Sequence, residues 1–206
     1  MKKKIFIIAL VICVVVLSIA SASTAYFTDV DEKTNTFTAG NVDITLTYAN
    51  ALEETQSVYP SQNFDIDATI KNVGSEKAYV GAIITLTKAG GISTIITPDG
   101  ANKPVAIKDI LVGLEASGYT VKYKAITGGY EVYVVNPAEV AKDGTSVIFT
   151  DIKIPAEWDN AEMTAFKDVK IKVKAYATQT VGFTTNDAET ALTTAFADWA
   201  DYSTLA

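Results

Sequence analysis

The sequence predicts an all-β fold, a jelly-roll-like antiparallel β-sandwich with a short C-terminal helix. Three observations carry that reading. Apolar and polar residues alternate with a period of two along most of the chain. Those stretches are rich in β-branched and aromatic residues. Turn residues interrupt them at short intervals.

Ahead of the strands lies an export pattern. Lys2, Lys3 and Lys4 precede an apolar run from Ile5 to Ala20, which passes into Ser21-Ala22-Ser23-Thr24-Ala25 without a basic stop-transfer cluster. Residues 1–25 therefore read as a cleaved signal peptide, and the protein is expected outside the cell or on its surface, with no membrane contact after cleavage. Small residues at the −3 and −1 positions allow cleavage after Ala22 or after Ala25; the preferred bond is Ala25-Tyr26. Cys13, the one cysteine, leaves with the signal, so the remaining chain holds no thiol and no disulfide.

In chain order, Val42, Ile44, Leu46 and Tyr48 alternate with polar residues and predict the first strand of the body. Phe64, Ile66, Ala68 and Ile70 predict the second, closed by the turn Asn72-Val73-Gly74-Ser75. Tyr79 to Thr87 is almost continuously apolar, as expected of a strand covered on both faces, and Ser146 to Ile154 reads the same way. Gly90-Gly91 and Gly128-Gly129 each separate two β-rich runs and predict hairpins, with further turns at Pro98-Asp99-Gly100 and Asp143-Gly144. Tyr119, Val121, Tyr123 and Ala125 alternate with Thr120, Lys122 and Lys124, and Val169, Ile171, Val173 and Ala175 with three further lysines. A helical turn is weakly signalled over Ala156 to Phe166, after Pro155. Asn186 with Glu189 reads as the cap of a C-terminal helix whose stripe, Ala188, Ala191, Leu192, Ala195, Phe196 and Trp199, packs on the sandwich. The domain reading is a signal peptide over 1–25, an N-terminal arm over 26–40 and a single sandwich domain over 41–206.

The chain carries 24 Asp and Glu against 17 Lys and Arg, a net charge of −7, and three of those lysines lie in the signal. That balance argues against nucleic acid as a partner. There is no histidine, which removes the commonest general base and the H-E-x-x-H zinc pair. No phosphate-cradling glycine motif occurs, and no cofactor is expected. The acids Asp29, Asp31 and Glu32, and the pair Asp65 and Asp67, lack the spacing of a calcium loop and read as solvated surface. Tyr119, Tyr123, Tyr130 and Tyr133 flank one hairpin. Core and cross-strand packing is the expectation there, with a ligand-binding patch as the other reading. No catalytic or metal-binding residue is assigned.

The stretch STAYFTDVDEKTNTFTAGNVDITL resembles the N-terminal signature of the TasA/camelysin family, as do VYPSQNFDIDATIKNVGSEKAYVGAIITL and VKIKVKAYATQTVGF further on. Pro60-Ser61 stands where the family shows Pro-Gly, a departure that bears on one turn. The resemblance implies a secreted subunit of biofilm-matrix fibres, processed by a SipW-type signal peptidase and joined head to tail with other copies of itself by donor-strand complementation. An accessory matrix protein is a further implied partner. The donor would lie within Tyr26 to Gly40, with Phe27, Val30, Phe37 and Ala39 as candidate donor residues and Gly40 as the hinge. The alternative is a monomeric surface or matrix adhesin. The metalloprotease label attached to camelysin is a poor fit to a chain without histidine.

Overall fold

Alternation places one face of each strand in a shared interior, and the two sheets built this way stack on each other. The computed structural model describes residues 28–31 (backbone), 42–49, 58–100, 104–115, 118–180, 183, 187–202 and 205. In chain order the elements are strands β1 (Thr28–Asp31), β2 (Ile44–Tyr48), β3 (Asn63–Asn72), β4 (Ala78–Thr87), β5 (Ile96–Thr97) and β6 (Val105–Ala106), helix α1 (Ile107–Ile110), β7 (Leu111–Val112), β8 (Thr120–Ile126), β9 (Gly129–Val135), β10 (Thr145–Lys153), helix α2 (Asn160–Phe166), β11 (Lys170–Gln179), helix α3 (Ala188–Ala195) and a 3-10 turn (Ala197–Trp199).

One sheet has five strands in the order β1-β11-β4-β9-β8 and the other four in the order β2-β3-β10-β7; β5 and β6 form a small parallel pair. The nine large strands pair antiparallel throughout. The chain passes between the two sheets six times, from β1 to β2, β3 to β4, β4 to β7, β7 to β8, β9 to β10 and β10 to β11, the crossing habit of jelly-roll-like sandwiches. The all-β sandwich and its short C-terminal helix are as the alternation predicts.

The main core lies between the sheets. Phe64, Ile66, Ala68 and Ile70 of β3 meet Val80, Ala82, Ile84 and Leu86 of β4, with Val132, Val134, Val173, Ala175 and Ala177 beside them. A second core lies on the outside of the five-stranded sheet. There α3 and the 3-10 turn bury Ala188, Ala191, Leu192, Phe196 and Trp199 over Tyr79, Ile83, Tyr133 and Tyr176. β4, sandwiched between these two cores, is buried at almost every position, which explains its continuous apolar run.

Several local expectations shift. β10 is only partly continuous in burial, and its run Ile148-Phe149 comes from register irregularities that turn neighbouring residues inward. Gly128-Gly129 makes a tight hairpin between β8 and β9, with Ile126 opposite Gly129. A Cβ on Gly129 would fall 1.8 Å from the Leu86 carbonyl oxygen, so only glycine fits. Gly90-Gly91 does not make a hairpin. β4 takes its partners from β9 and β11, and the chain after Gly91 runs instead to the short β5. Asn186 lies outside the described residues; the cap of α3 is Asp187, whose carboxylate accepts from the Thr190 N–H at 3.0 Å. The apolar stripe outlasts the helix, which ends at Ala195, and Trp199 reaches the same core from the 3-10 turn.

Candidate functional site

β11 is the strand around which both candidate sites are built. β4 pairs with all ten of its residues, from Lys170 opposite Thr87 to Gln179 opposite Ala78. On its other side β1 covers only four: Thr28 lies opposite Thr178, Asp29 opposite Ala177, Val30 opposite Tyr176 and Asp31 opposite Ala175. Those four β11 residues are buried, with Tyr176 under the C-terminal cap and Ala175 and Ala177 in the main core. A strand with a buried flank needs a partner for its backbone, and a four-residue segment supplies it here. β1 also approaches β2, the edge of the other sheet, so the arm runs between the two sheets at one side of the sandwich. Of the sequence-named site residues, Val30 lies in β1. Ala22, Ala25, Tyr26, Phe27, Phe37, Ala39 and Gly40 lie outside the described residues.

The outer face of the five-stranded sheet holds a cleft of about 380 Å³ below the cap, lined by Lys124, Glu131, Lys172, Lys174, Asp198 and Asp201 among others. Its chemistry is ionic. Lys174 Nζ lies 2.8 Å from Asp198 Oδ2, and Lys124 Nζ 2.8 Å from Asp201 Oδ2. The Tyr176 hydroxyl donates to Asp198, and the Tyr133 hydroxyl donates to Glu131 at 2.9 Å. Hydrogen bonds from Lys174 and Tyr176 hold the Asp198 carboxyl below its ordinary range despite partial burial. Burial, then the bond to Glu131, pushes the Tyr133 phenol well up, so it remains a proton donor. These groups satisfy one another and offer neither an activated nucleophile nor a base poised beside one. The arrangement ties the cap to the sheet and can hold a polar ligand or surface.

The four tyrosines do not form a patch. Tyr119, Tyr123 and Tyr130 pack against the core between the sheets, whereas Tyr133 lies in the outer core under Trp199 and Tyr202. Burial pushes the Tyr123 hydroxyl up to about 12. Core packing is therefore the reading that holds. Among the described residues no group of three or more His, Cys, Asp and Glu comes together as a metal cluster. Sequence reading missed the Lys174–Asp198 and Lys124–Asp201 ties, whose partners are 24 and 77 residues apart.

Comparison with known families now bears on this geometry. Residues 1–88 match the model of the camelysin metallo-endopeptidase family. Over that length the chain is camelysin-like. The match takes in the apolar N-terminal run and strands β1 to β4, and it stops one residue after β4. No curated protein and no solved structure matches the chain. The family description implies a catalytic metal, and the side chains present do not fit one. Zinc proteases bind their metal through histidine with a carboxylate, and this camelysin-like chain has no histidine and a single cysteine within the apolar N-terminal run. No helix among the described residues is long and apolar enough to cross a membrane.

Proposed function

We propose that the protein is a secreted structural subunit of an extracellular matrix fibre and not an enzyme. Its signal, residues 1–25, is removed by a SipW-type peptidase; residues 26–40 form a donor arm; residues 41–206 form the sandwich that receives it. The observation that carries this reading is the short β1 seated on the buried half of β11. Four residues of arm paired through the backbone at a sheet edge can be exchanged for the same four residues of a neighbour, with every backbone hydrogen bond re-formed. Exchange in one direction gives a head-to-tail contact that does not close, and so a filament. Phe27, Phe37 and Ala39 would flank that strand and Gly40 would let the arm swing out. The camelysin match across the same region supports the reading. An accessory matrix protein would start or anchor the fibre.

A monomeric adhesin is the competing reading, and its one structural support is the ionic cleft beside the cap. Electron microscopy of the chain beginning at Tyr26, beside one beginning at Asn41, separates the two. Filaments are expected from the first only, with a synthetic peptide of residues 26–40 binding to and stabilising the second. Dispersed particles from both, with no peptide binding, would rule out strand donation.

A further inference from the structure

The two outer faces of the sandwich carry charge of opposite sign. On the five-stranded sheet, the part of the outer face that α3 leaves uncovered presents Lys170, Lys172 and Lys174 at alternate positions of β11. Their β4 neighbours across the ladder are Thr87, Thr85 and Ile83, so no acid stands beside that row on β4. Lys124 extends the positive charge to β8. The acids on this side, Glu131, Asp198 and Asp201, are engaged by Tyr133, Lys174 and Lys124. Lys124, Lys170, Lys172 and Lys174 outnumber those three acids, and Lys170 and Lys172 are exposed, on a protein whose overall charge is −7.

The four-stranded sheet is the reverse. Asp65 and Asp67 occupy alternate positions of β3, and Asp151 of β10 lies directly opposite Asp65. Like charges facing each other across a ladder repel, and here Asp151 is held by Asn63 and Thr150, whose side chains donate to it at 2.6 and 2.8 Å. The lysines of this face stand at its two ends: Lys71 lies 4.0 Å from Asp143, and Lys153 lies opposite Asn63. The centre of the face is acidic.

We propose that these faces are the two halves of one contact, and that copies of this chain stack sandwich on sandwich, the β11 lysine row of one copy against Asp65, Asp67 and Asp151 of the next. Both rows repeat every second residue along a strand, about 7 Å, so lysines and carboxylates can register along their length. A face meeting a different face does not close on itself, and the stacking continues. The contact uses sheet faces, whereas the arm uses sheet edges. It is therefore independent of strand donation, and in a fibre it would join filaments side by side.

The test is charge exchange in the chain beginning at Tyr26. One variant carries Lys170→Glu with Lys172→Glu, the other Asp65→Lys with Asp151→Lys. Apparent mass is followed by light scattering between about 10 mM and about 1 M salt, over which the Debye length falls from about 30 Å to about 3 Å. The unaltered chain is expected to associate laterally at low salt and to separate at high salt. Each variant alone stays separate, because both its faces then have one sign, and an equal mixture associates again. Circular dichroism reports whether each variant folds; Lys170→Gln with Lys172→Gln and Asp65→Asn with Asp151→Asn provide milder replacements that should each weaken association. Variants that associate like the unaltered chain, or a folded mixture that stays separate, overturn the proposal. Microscopy distinguishes this contact from strand donation: thin unbundled filaments from the lysine variant leave donation intact, and salt-sensitive association without filaments leaves the stacking intact.

Discussion

Gly81 of β4 and Trp199 of the 3-10 turn meet with no room for a side chain between them: a Cβ on Gly81 would fall 2.8 Å from Trp199 Cη2 and 2.8 Å from Leu192 Cδ1. The C-terminal cap can lie this close to the sheet because of that glycine. Trp199 then stands edge-on to both Tyr133 and Tyr176, with ring centroids 5.4 and 5.5 Å apart and interplanar angles of 83° and 87°. Gly81→Ala overpacks this contact and is expected to destabilise the protein by about 1–3 kcal/mol. Urea unfolding followed by tryptophan fluorescence in a Trp158→Phe background, where Trp199 alone reports, checks it. An unchanged midpoint would mean that the cap yields without cost.

The same cap should be sensitive to acid. Hydrogen bonds from Lys174 and Tyr176 hold the Asp198 carboxyl below its ordinary range when the protein is folded. A carboxyl depressed in the folded state contributes stability that is complete above its unfolded pKa and disappears as pH falls through the folded one. Asp198 is 52% exposed, so solvent screening limits the tie to about 1 kcal/mol or less. Asp198→Asn should therefore melt slightly below the unaltered protein at pH 7, and the gap should close as acidification carries the pH through and below the ordinary carboxylate range. A gap of constant size across that range would assign the loss to packing.

What the sequence disclosed was periodicity, and what it concealed was partnership. The alternation of β3 and the doubly buried run of β4 were both legible, because each strand writes its own faces into its residues. Nothing local told Gly90-Gly91, which leads away from the sheet, from Gly128-Gly129, which turns within it, since β4 finds its partners at residues 129–135 and 170–179. The split of the tyrosines followed from strand parity: Tyr123 and Tyr130 share a face, and Tyr133 occupies the other. The site was legible only as a stretch of arm. The β11 edge that receives it lies far along the chain, with Thr28 opposite Thr178 and Asp31 opposite Ala175, and is defined by burial that appears only once the sheets stack.

The helix at 160–166 was only weakly signalled, yet it has a local signature that could have found it. Asp159 and Glu162 form a capping box: Asp159 Oδ1 accepts from the Ala161 N–H at 2.7 Å and Glu162 Oε2 accepts from the Asp159 N–H at 2.8 Å. Asp159→Ala should cost about 1 kcal/mol, read as a lower urea midpoint with an unchanged slope. Asp159→Ser, which keeps the cap, should recover most of it.

Asn72 is fully buried where β3 turns toward β4, and three of its hydrogen bonds hold that crossing. Its amide nitrogen donates to the Glu76 and Val140 carbonyls at 2.8 and 3.0 Å, and its oxygen accepts from the Gly74 N–H at 3.0 Å. Asn72→Leu removes all three bonds; the Gly74 N–H keeps the Asp43 carbonyl and the Val140 carbonyl keeps the Ala78 N–H, so the loss centres on the buried amide and the Glu76 carbonyl, at about 1–3 kcal/mol. A melting temperature lowered by several degrees, with unfolding still cooperative, is expected. A mild effect would show that water replaces the side chain.

A reversible bridge can test strand exchange without deleting anything. Thr28 and Thr178 are cross-strand partners, and such Cα pairs lie about 4.5–5.5 Å apart, within the range a disulfide spans. In the chain beginning at Tyr26, which lacks Cys13, Thr28→Cys with Thr178→Cys creates the only thiols. Oxidised while dispersed, the bridge ties β1 to its own β11, and the locked protein is expected to form no filaments until a reductant releases it. Oxidised after assembly, the same pair should join neighbours and give a ladder of covalent multimers on a non-reducing gel. Filaments from the internally bridged monomer would show that the arm need not leave its own sheet, and fibre growth would then have to proceed through another surface.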